Sequence, residues 1–308
     1  MSMNASLVGS DTAPDSVLKT HGRSFHFARR FLGHRHGQRA TRLYAFCRYV
    51  DDVADEAISK DAALSGLSRL EEEISGQRAA GQNTSDFLQL AEETKMDIAP
   101  ALSLVEGVRS DLGDVLFETE RDLTRYAYHV AGTVGLMMCS VLDVNDPSAA
   151  PFAIDLGIAM QLTNIARDVG EDARMGRRYL PSAWVGEITP EQIVSPDSVT
   201  KAVLQCSVKR LLILADHYYL SGEAGLAYLP VRARFAILIA GRVYGAIGRA
   251  VERLNYESWL SRGRTTGPEK TAIACRAALD FFTVRSLHRK DARHDERLHR
   301  NLEGLTGA

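Results

Sequence analysis

Carboxylates recur in two short strings at spacings that a helix would stack. The first string, YAFCRYVDDVADE, runs from Tyr44 to Glu56 and places Asp51, Asp52 and Asp55 close together. The second, QLTNIARDVGED, runs from Gln161 to Asp172. Residues three and four apart share a helix face. Asp51 and Asp55 therefore stack with Arg48 one turn earlier, and Gln161, Asn164, Asp168 and Asp172 form one polar stripe. Both strings lie among apolar residues, where an uncompensated carboxylate is costly. Hard divalent cations are a matching compensation, since Mg²⁺ takes oxygen ligands, commonly one or two carboxylates with waters and phosphate oxygens. Two facing stripes would hold several Mg²⁺ ions and, through them, a diphosphate whose departure the metal charge would favour. The plain alternative is a pair of solvated faces neutralised by Arg48, Arg167 and Arg174. Either string alone permits that reading, but two strings each beside an arginine argue against it.

Stripes of this kind need long helices to carry them. Prolines number only nine, and none falls between Pro14 and Pro100 or between Pro100 and Pro147. Proline interrupts helix interiors, so those spans leave room for long helices. Apolar residues recur at helical spacing, as in Leu43, Phe46, Cys47 and Val50, or Ile154, Ile158, Leu162 and Ile165. Hairpin signals are absent. The pattern predicts helices near 16–31, 37–57, 61–79, 84–96, 99–112, 122–143, 149–174, 198–227, 230–261 and 269–287. Loops are expected at 144–150 and 175–197. No composition shift or flexible linker divides the chain, and one all-α domain is the simplest account. The expected division is a tail over 1–15, the helical domain over 16–287 and a polar C-terminal tail over 288–308.

The 308 residues are 45% hydrophobic and 25% charged, with a net charge of −2. This composition excludes disorder, collagen-like repeats and disulfide-stapled miniproteins. A nucleic-acid partner is not expected, because the basic excess of a backbone-binding protein is missing. Cys47, Cys139, Cys206 and Cys275 stand far apart with no CxxC pair. They are expected to be reduced and half-buried rather than ligands of zinc or members of a disulfide framework. The polar N-terminus lacks an apolar signal core. The longest uncharged stretch, Val130 to Leu142, is too short to span a bilayer. A cytoplasmic protein is expected, with peripheral contact at the inner membrane face as the minor reading.

These strings and their surroundings resemble the squalene and phytoene synthase family of head-to-head isoprenoid synthases. The resemblance covers nearly the whole chain. It includes HGRSF (21–25), LYAFCRYVDDVADE (43–56), YAYHVAGTVG (126–135) and LGIAMQLTNIARDVGEDARMGRRYLP (156–181). VAGTVGLMM (130–138) is most similar to the bacterial phytoene synthases. The resemblance implies an isoprenoid synthase fold, helices around a central cavity with the two aspartate helices facing across its mouth. It also implies Mg²⁺ as cofactor, with Mn²⁺ as a substitute, held by Asp51, Asp52 and Asp55 of the first motif and Asn164, Asp168 and Asp172 of the second. Arg48 and Arg167 match diphosphate-contacting arginines, and Ser24 and Phe25 the substrate-contacting start of the first core helix. Gln161 matches a pocket glutamine, Tyr244 a tyrosine that reaches the phosphates, and Tyr126 a tyrosine near the reacting carbons. One departure stands out. The family's arginine five residues beyond the equivalent of Tyr256 is Ser261 here, and Arg262, one step later, takes its place if the loop holds one extra residue.

The implied reaction joins two geranylgeranyl diphosphates, through a cyclopropyl diphosphate, to phytoene without NADPH. The neighbouring reading is squalene or dehydrosqualene synthesis from farnesyl diphosphate, and a reading of another class is a non-catalytic helical scaffold. Isoprenoid diphosphates are the expected partners, and the oligomeric state is left open. Gly132 and Gly135 suit a close helix contact on one face of a segment whose other face suits a tunnel wall. Gly241 and Gly245 form a GxxxG pattern read as helix packing, since Arg242 inside it speaks against a membrane dimer. In the tail, six Lys/Arg between Arg285 and Arg300 accompany His288, His294 and His299. Its single ExxH, Glu296 with His299, cannot make a di-iron site alone. A solvated, mixed-charge helix is expected there, with a patch for anionic lipid as the lesser alternative.

Overall fold

Apolar stripes at helical spacing become the buried faces of helices around one long central helix. The computed structural model describes residues 29–113 and 115–307. Ser24 and Phe25 lie outside the described residues, as does nearly all of the helix expected over 16–31. The principal helices are α1 (His34–Asp55), α2 (Lys60–Ile74), α3 (Gln82–Thr94), α4 (Ala99–Ser110), α5 (Glu120–Ala127), α6 (Thr133–Val141) and α7 (Ala150–Arg174). The short α8 (Ser182–Val185) and α9 (Pro190–Val194) follow, then α10 (Ser198–Ala224), α11 (Val231–Arg253) and α12 (Gly267–Thr283). Among the described residues there is no strand, only an isolated bridge between Leu116 and Arg178. This is an all-α isoprenoid synthase fold.

Helix α7 is the axis. Pro151 occupies its first turn, where a missing N–H costs nothing, and Ile154, Ile158, Leu162 and Ile165 are buried along it. The run Pro147–Arg174 is long and apolar enough to cross a bilayer, yet 56% of its most apolar window is buried inside the protein. It is the core helix of the fold. One apolar cluster gathers around α7 and α10, and a second around α1, α3, α4 and α6. A tunnel runs between them.

Two glycine contacts set the spacing of α6 and α7. A Cβ on Gly135 would sit 2.1 Å from the Ala153 carbonyl oxygen, and one on Gly157 would sit 2.2 Å from that of Ala131. The expected close approach at Gly135 is therefore present, and α7 returns it through Gly157. The GxxxG pattern bears out its packing reading at one glycine only: a Cβ on Gly241 would lie 3.3 Å from Leu156 of α7. A Cβ on Gly245 would meet the Tyr219 ring only at 3.8 Å, an ordinary contact. Gly241 and Gly245 also line a cleft between α10, α11 and α12, spanned by Arg242 bonded to Glu223 and Asp280.

Several expectations are corrected. The helix expected over 122–143 is not uniform, because Tyr128–Gly132 forms a π turn between α5 and α6. Such single wide turns insert one residue and often mark functional segments. The helix expected over 230–261 stops at Arg253, and Asn255 and Tyr256 turn the chain with φ of 54° and 63°. The loop over 175–197 contains α8 and α9. Cys47 and Cys139 are half-buried as expected, but Cys206 and Cys275 are exposed.

The C-terminal segment is not an α-helix, and although most of its residues are solvated as expected, some of its side chains pack on the core. Glu296–Leu302 is a 3₁₀ helix, Leu302 is fully buried, and Leu298 and Leu305 pack on the α7–α10 cluster. Tyr218 donates to the Leu298 carbonyl at 2.9 Å, Arg125 to that of Glu303 at 3.1 Å, and Tyr128 to that of Thr306. Charge counting missed this because the basic residues face outward while Leu298, Leu302, His294 and His299 between or beside them turn inward.

Candidate active site

Both acidic strings lie in the final turns of their helices, Asp51–Asp55 closing α1 and Asp168–Asp172 nearing the end of α7. A helix C-terminus carries partial negative charge, so carboxylates are unfavourable there unless cations attend them. The last turn of α1 has no basic residue. Arg48 comes from the turn before and pairs with Asp52 at 2.6 Å. Asp55, the most exposed of the three, faces Arg177 at 3.6 Å across the mouth. Arg167 holds Asp168 through its Nε at 2.8 Å, and Arg262 reaches the same carboxylate at 2.6 Å and Glu171 at 3.0 Å. Thus the early end of α11 and the turn at Asn255–Tyr256 carry Arg262 onto the second aspartate string despite Ser261. Arg174, offered above as a neutralising partner, instead donates to the Gly170 carbonyl at 3.0 Å.

Sequence reasoning missed three members of this cluster. Asp111 follows the end of α4 and accepts hydrogen bonds from Tyr126 at 2.6 Å and Tyr179 at 3.1 Å. The Tyr126 and Tyr179 rings stack with centroids 5.0 Å apart, and Phe117 packs against both. Arg177 is the third. Tyr179 and Arg177 stand inside the MGRRYLP run, and Asp111 ends an apolar helix as the other acids do. No local spacing links them to the aspartate strings, because the tertiary fold alone brings α4 to the mouth. Tyr126 thus presents its hydroxyl to a carboxylate and one ring face to Tyr179.

The charges crowd one another. Burial, against the pull of Arg48 and with the help of Asp55, Asp52 and Asp111, pushes the Asp51 carboxyl up to about 7. Burial and the Asp168 charge push Asp172 up to about 8, against Arg177. Burial also raises Asp111 despite the two tyrosine hydrogen bonds. One buried oxygen, Asp52 Oδ1, accepts no hydrogen bond of proper geometry among the described residues. Buried, mutually repelling oxygens with spare acceptor capacity fit hard divalent cations.

A sign follows for stability. Acids whose folded pKa lies above the unfolded value bind more protons folded than unfolded. The contribution favours the fold at low pH and is lost as pH rises from ~4 towards about 8. The melting temperature of the metal-free protein should fall across that window, and added Mg²⁺ should raise it more at pH 8 than at pH 5. Differential scanning fluorimetry at fixed ionic strength measures both, and a pH-independent Mg²⁺ response would overturn the assignment.

Behind the mouth runs the tunnel. Tyr44, Gln161, Asn164 and Tyr244 form its polar part, with Asn164 donating to Gln161 at 3.3 Å. Its walls are apolar: Leu43 and Cys47 of α1, Val130, Val134 and Met138 around the π turn and α6, and Leu156 and Met160 of α7. It continues to Leu142, Phe152 and Leu229. The segment after Tyr126 serves as expected, as tunnel wall on one face and helix contact on the other.

An all-helical body whose acidic helix ends meet at the mouth of a greasy tunnel is an isoprenoid synthase, an enzyme that transfers prenyl groups. The squalene/phytoene synthase family model matches residues 18–269, and the chain belongs to that family. It is 37% identical to the phytoene synthase of Rhodobacter capsulatus over 85% of this chain and 79% of that one. It is 38% identical to the 15-cis-phytoene synthase of Enterobacter agglomerans over 79% and 86%. Its structure is similar to that of a dehydrosqualene synthase, with a TM-score of 0.76 and 27% identity over 88% of this chain and 95% of that one. The family uses prenyl diphosphates and is generally metal-dependent.

Proposed function

We propose that this chain is a phytoene synthase, joining two geranylgeranyl diphosphates head to head with Mg²⁺ at the aspartate strings. The observation that carries this reading is the combination of two carboxylate strings, linked through Arg177 and Asp111, beside an apolar tunnel with 37–38% identity to phytoene synthases across most of the chain.

Asp51, Asp52 and Asp55 on one side, and Asn164, Asp168 and Asp172 on the other, would hold the cations. When bound, Mg²⁺ neutralises diphosphate charge and acts as a Lewis acid at the departing oxygen. The chain's own residues account for the rest. Arg48, Arg167 and Arg262, now paired with carboxylates, supply guanidinium groups to the diphosphate oxygens. The tunnel aligns two isoprenoid chains so that, once one has lost its diphosphate, the 2,3-double bond of the other attacks the allylic cation and loss of a proton from the attacked carbon closes the ring of the cyclopropyl diphosphate. Its apolar wall keeps water from quenching that cation and the one formed by the second ionisation. Tyr126, hydrogen-bonded to Asp111, would take the final proton on its Oη as its own proton passes to that carboxylate.

Likeness to a dehydrosqualene synthase supports the second reading, farnesyl diphosphate as substrate. Incubation with farnesyl and geranylgeranyl diphosphates, with and without NADPH, separates the two by product. Phytoene from the C20 substrate, independent of NADPH, is expected. A C30 product formed in preference would overturn the proposal.

A further inference from the structure

On α7, 13 residues and so about 20 Å along the helix from Asp168, a second cluster lies apart from the tunnel mouth. Asp155 is fully buried. Its Oδ2 accepts from the Ser221 hydroxyl at 2.5 Å and faces His294 Nε2 at 2.8 Å, while its Oδ1 faces His299 Nε2 at 2.8 Å. The two imidazole rings lie 4.3 Å apart, and their side chains are only 12% and 10% exposed. All three ligand-capable atoms fall within 4.8 Å of one another, the only such group of His, Cys, Asp and Glu found among the described residues.

We propose that Asp155, His294 and His299 form a binding site for a transition-metal cation of the zinc class, which fastens the C-terminal segment to the central helix. The donor set carries the choice of ion. Two imidazole nitrogens and one carboxylate oxygen suit Zn²⁺, Co²⁺ or Ni²⁺, whereas Mg²⁺ takes oxygen alone. The convergence is built rather than incidental. Asp295 accepts from the Arg297 amide and starts the 3₁₀ turn, which brings two histidines five residues apart to one side of the chain. Phe152 packs edge-on against His294, and Ser221 orients the carboxylate as outer-shell donors do at metal sites. Glu296 of the ExxH is exposed and takes no part. Binding would tie positions 139 and 144 residues apart, a closure the unfolded chain lacks, so the ion stabilises the fold.

The test uses the full chain, stripped by chelation and then given Zn²⁺ or Co²⁺ alone. A D52N/D168N background weakens cation binding at the aspartate strings. Calorimetry should find one high-affinity Zn²⁺ per chain, and Zn²⁺ should raise the melting temperature. Replacing His294 or His299 by Gln keeps a hydrogen-bond donor but removes the nitrogen ligand. Each change should weaken Zn²⁺ binding by more than the roughly 10–100-fold that loss of an outer-shell partner costs and abolish the visible Co²⁺ band. Zn²⁺ affinity unchanged by both substitutions, or no binding at all, would show a hydrogen-bonded clamp only and overturn the proposal. Zinc K-edge absorption of the chain with both histidines present needs no folded variant. Two imidazole ligands are expected there, and an oxygen-only shell would overturn the proposal equally.

Discussion

Replacing Asp52 or Asp168 by Ala should lower turnover about a thousandfold or more, the scale on which removing a group aimed at developing charge acts. The two positions are not equivalent in what they release. Asp52 is paired with Arg48, whereas Asp168 is held by both Arg167 and Arg262. Either change removes an oxygen ligand and frees a guanidinium group for the diphosphate, Arg48 in the first case and Arg167 in the second, while Arg262 keeps Glu171. Substrate binding should therefore survive better than catalysis, and the loss should fall on kcat more than on KM. Steady-state product formation with saturating Mg²⁺ measures it. Activity surviving both changes would sink the metal assignment. A companion variant separates catalysis from folding. Asp172 is pushed up to about 8 by burial and by Asp168, so its ionised form disfavours the metal-free fold. Asp172→Asn should be inactive yet, in chelator above pH 8, melt no lower than the parent chain.

The second large effect concerns stability rather than chemistry. Gly157→Ala would place a methyl carbon 2.2 Å from the Ala131 carbonyl oxygen, where ordinary contact begins near 3.4 Å. Backbone cannot yield as a side-chain tip can, so the π turn and α7 must separate. A cost of about 3 kcal/mol is expected, a fall of roughly 6–10 °C in melting temperature. Gly135→Ala, against Ala153 on the reverse side of the same contact, should behave alike. Both residues line the tunnel, so the variants should also lose activity at temperatures where they remain folded. Gly245→Ala is the control: it meets only the Tyr219 ring at 3.8 Å and should leave stability nearly unchanged. Equal melting temperatures for Gly157→Ala and Gly245→Ala would refute the close-contact account.

Much of this molecule could be read from residue order, because its main devices are local. The aspartate strings repeat at three and four residues, and a helix converts that spacing into a stripe without help from the rest of the fold. The apolar positions of α1 and α7 declare their buried faces in the same way. Proline spacing and composition likewise determined an all-helical chain, and the long motif strings determined its family.

What the sequence left undecided depends on contacts between distant residues. Nothing near Asp111 says that Tyr126 and Tyr179 will donate to it, because three separate segments must converge before their hydroxyls can find it. Arg262 looked one position out of register. Only the turn at Asn255 and Tyr256 brings it to Asp168, a shift that loop geometry absorbs and helical spacing cannot express. The tail was misread for a related reason. Counting charges weighs every side chain equally, whereas packing selects Leu302, His294 and His299 and turns them towards α7. Sequence determined which helices form and which faces they bury, since those follow from spacing along one chain. Tertiary structure alone decided which carboxylates share a cation, which hydroxyls meet, and where the chain's last residues are held, since each depends on groups brought together only when the helices pack.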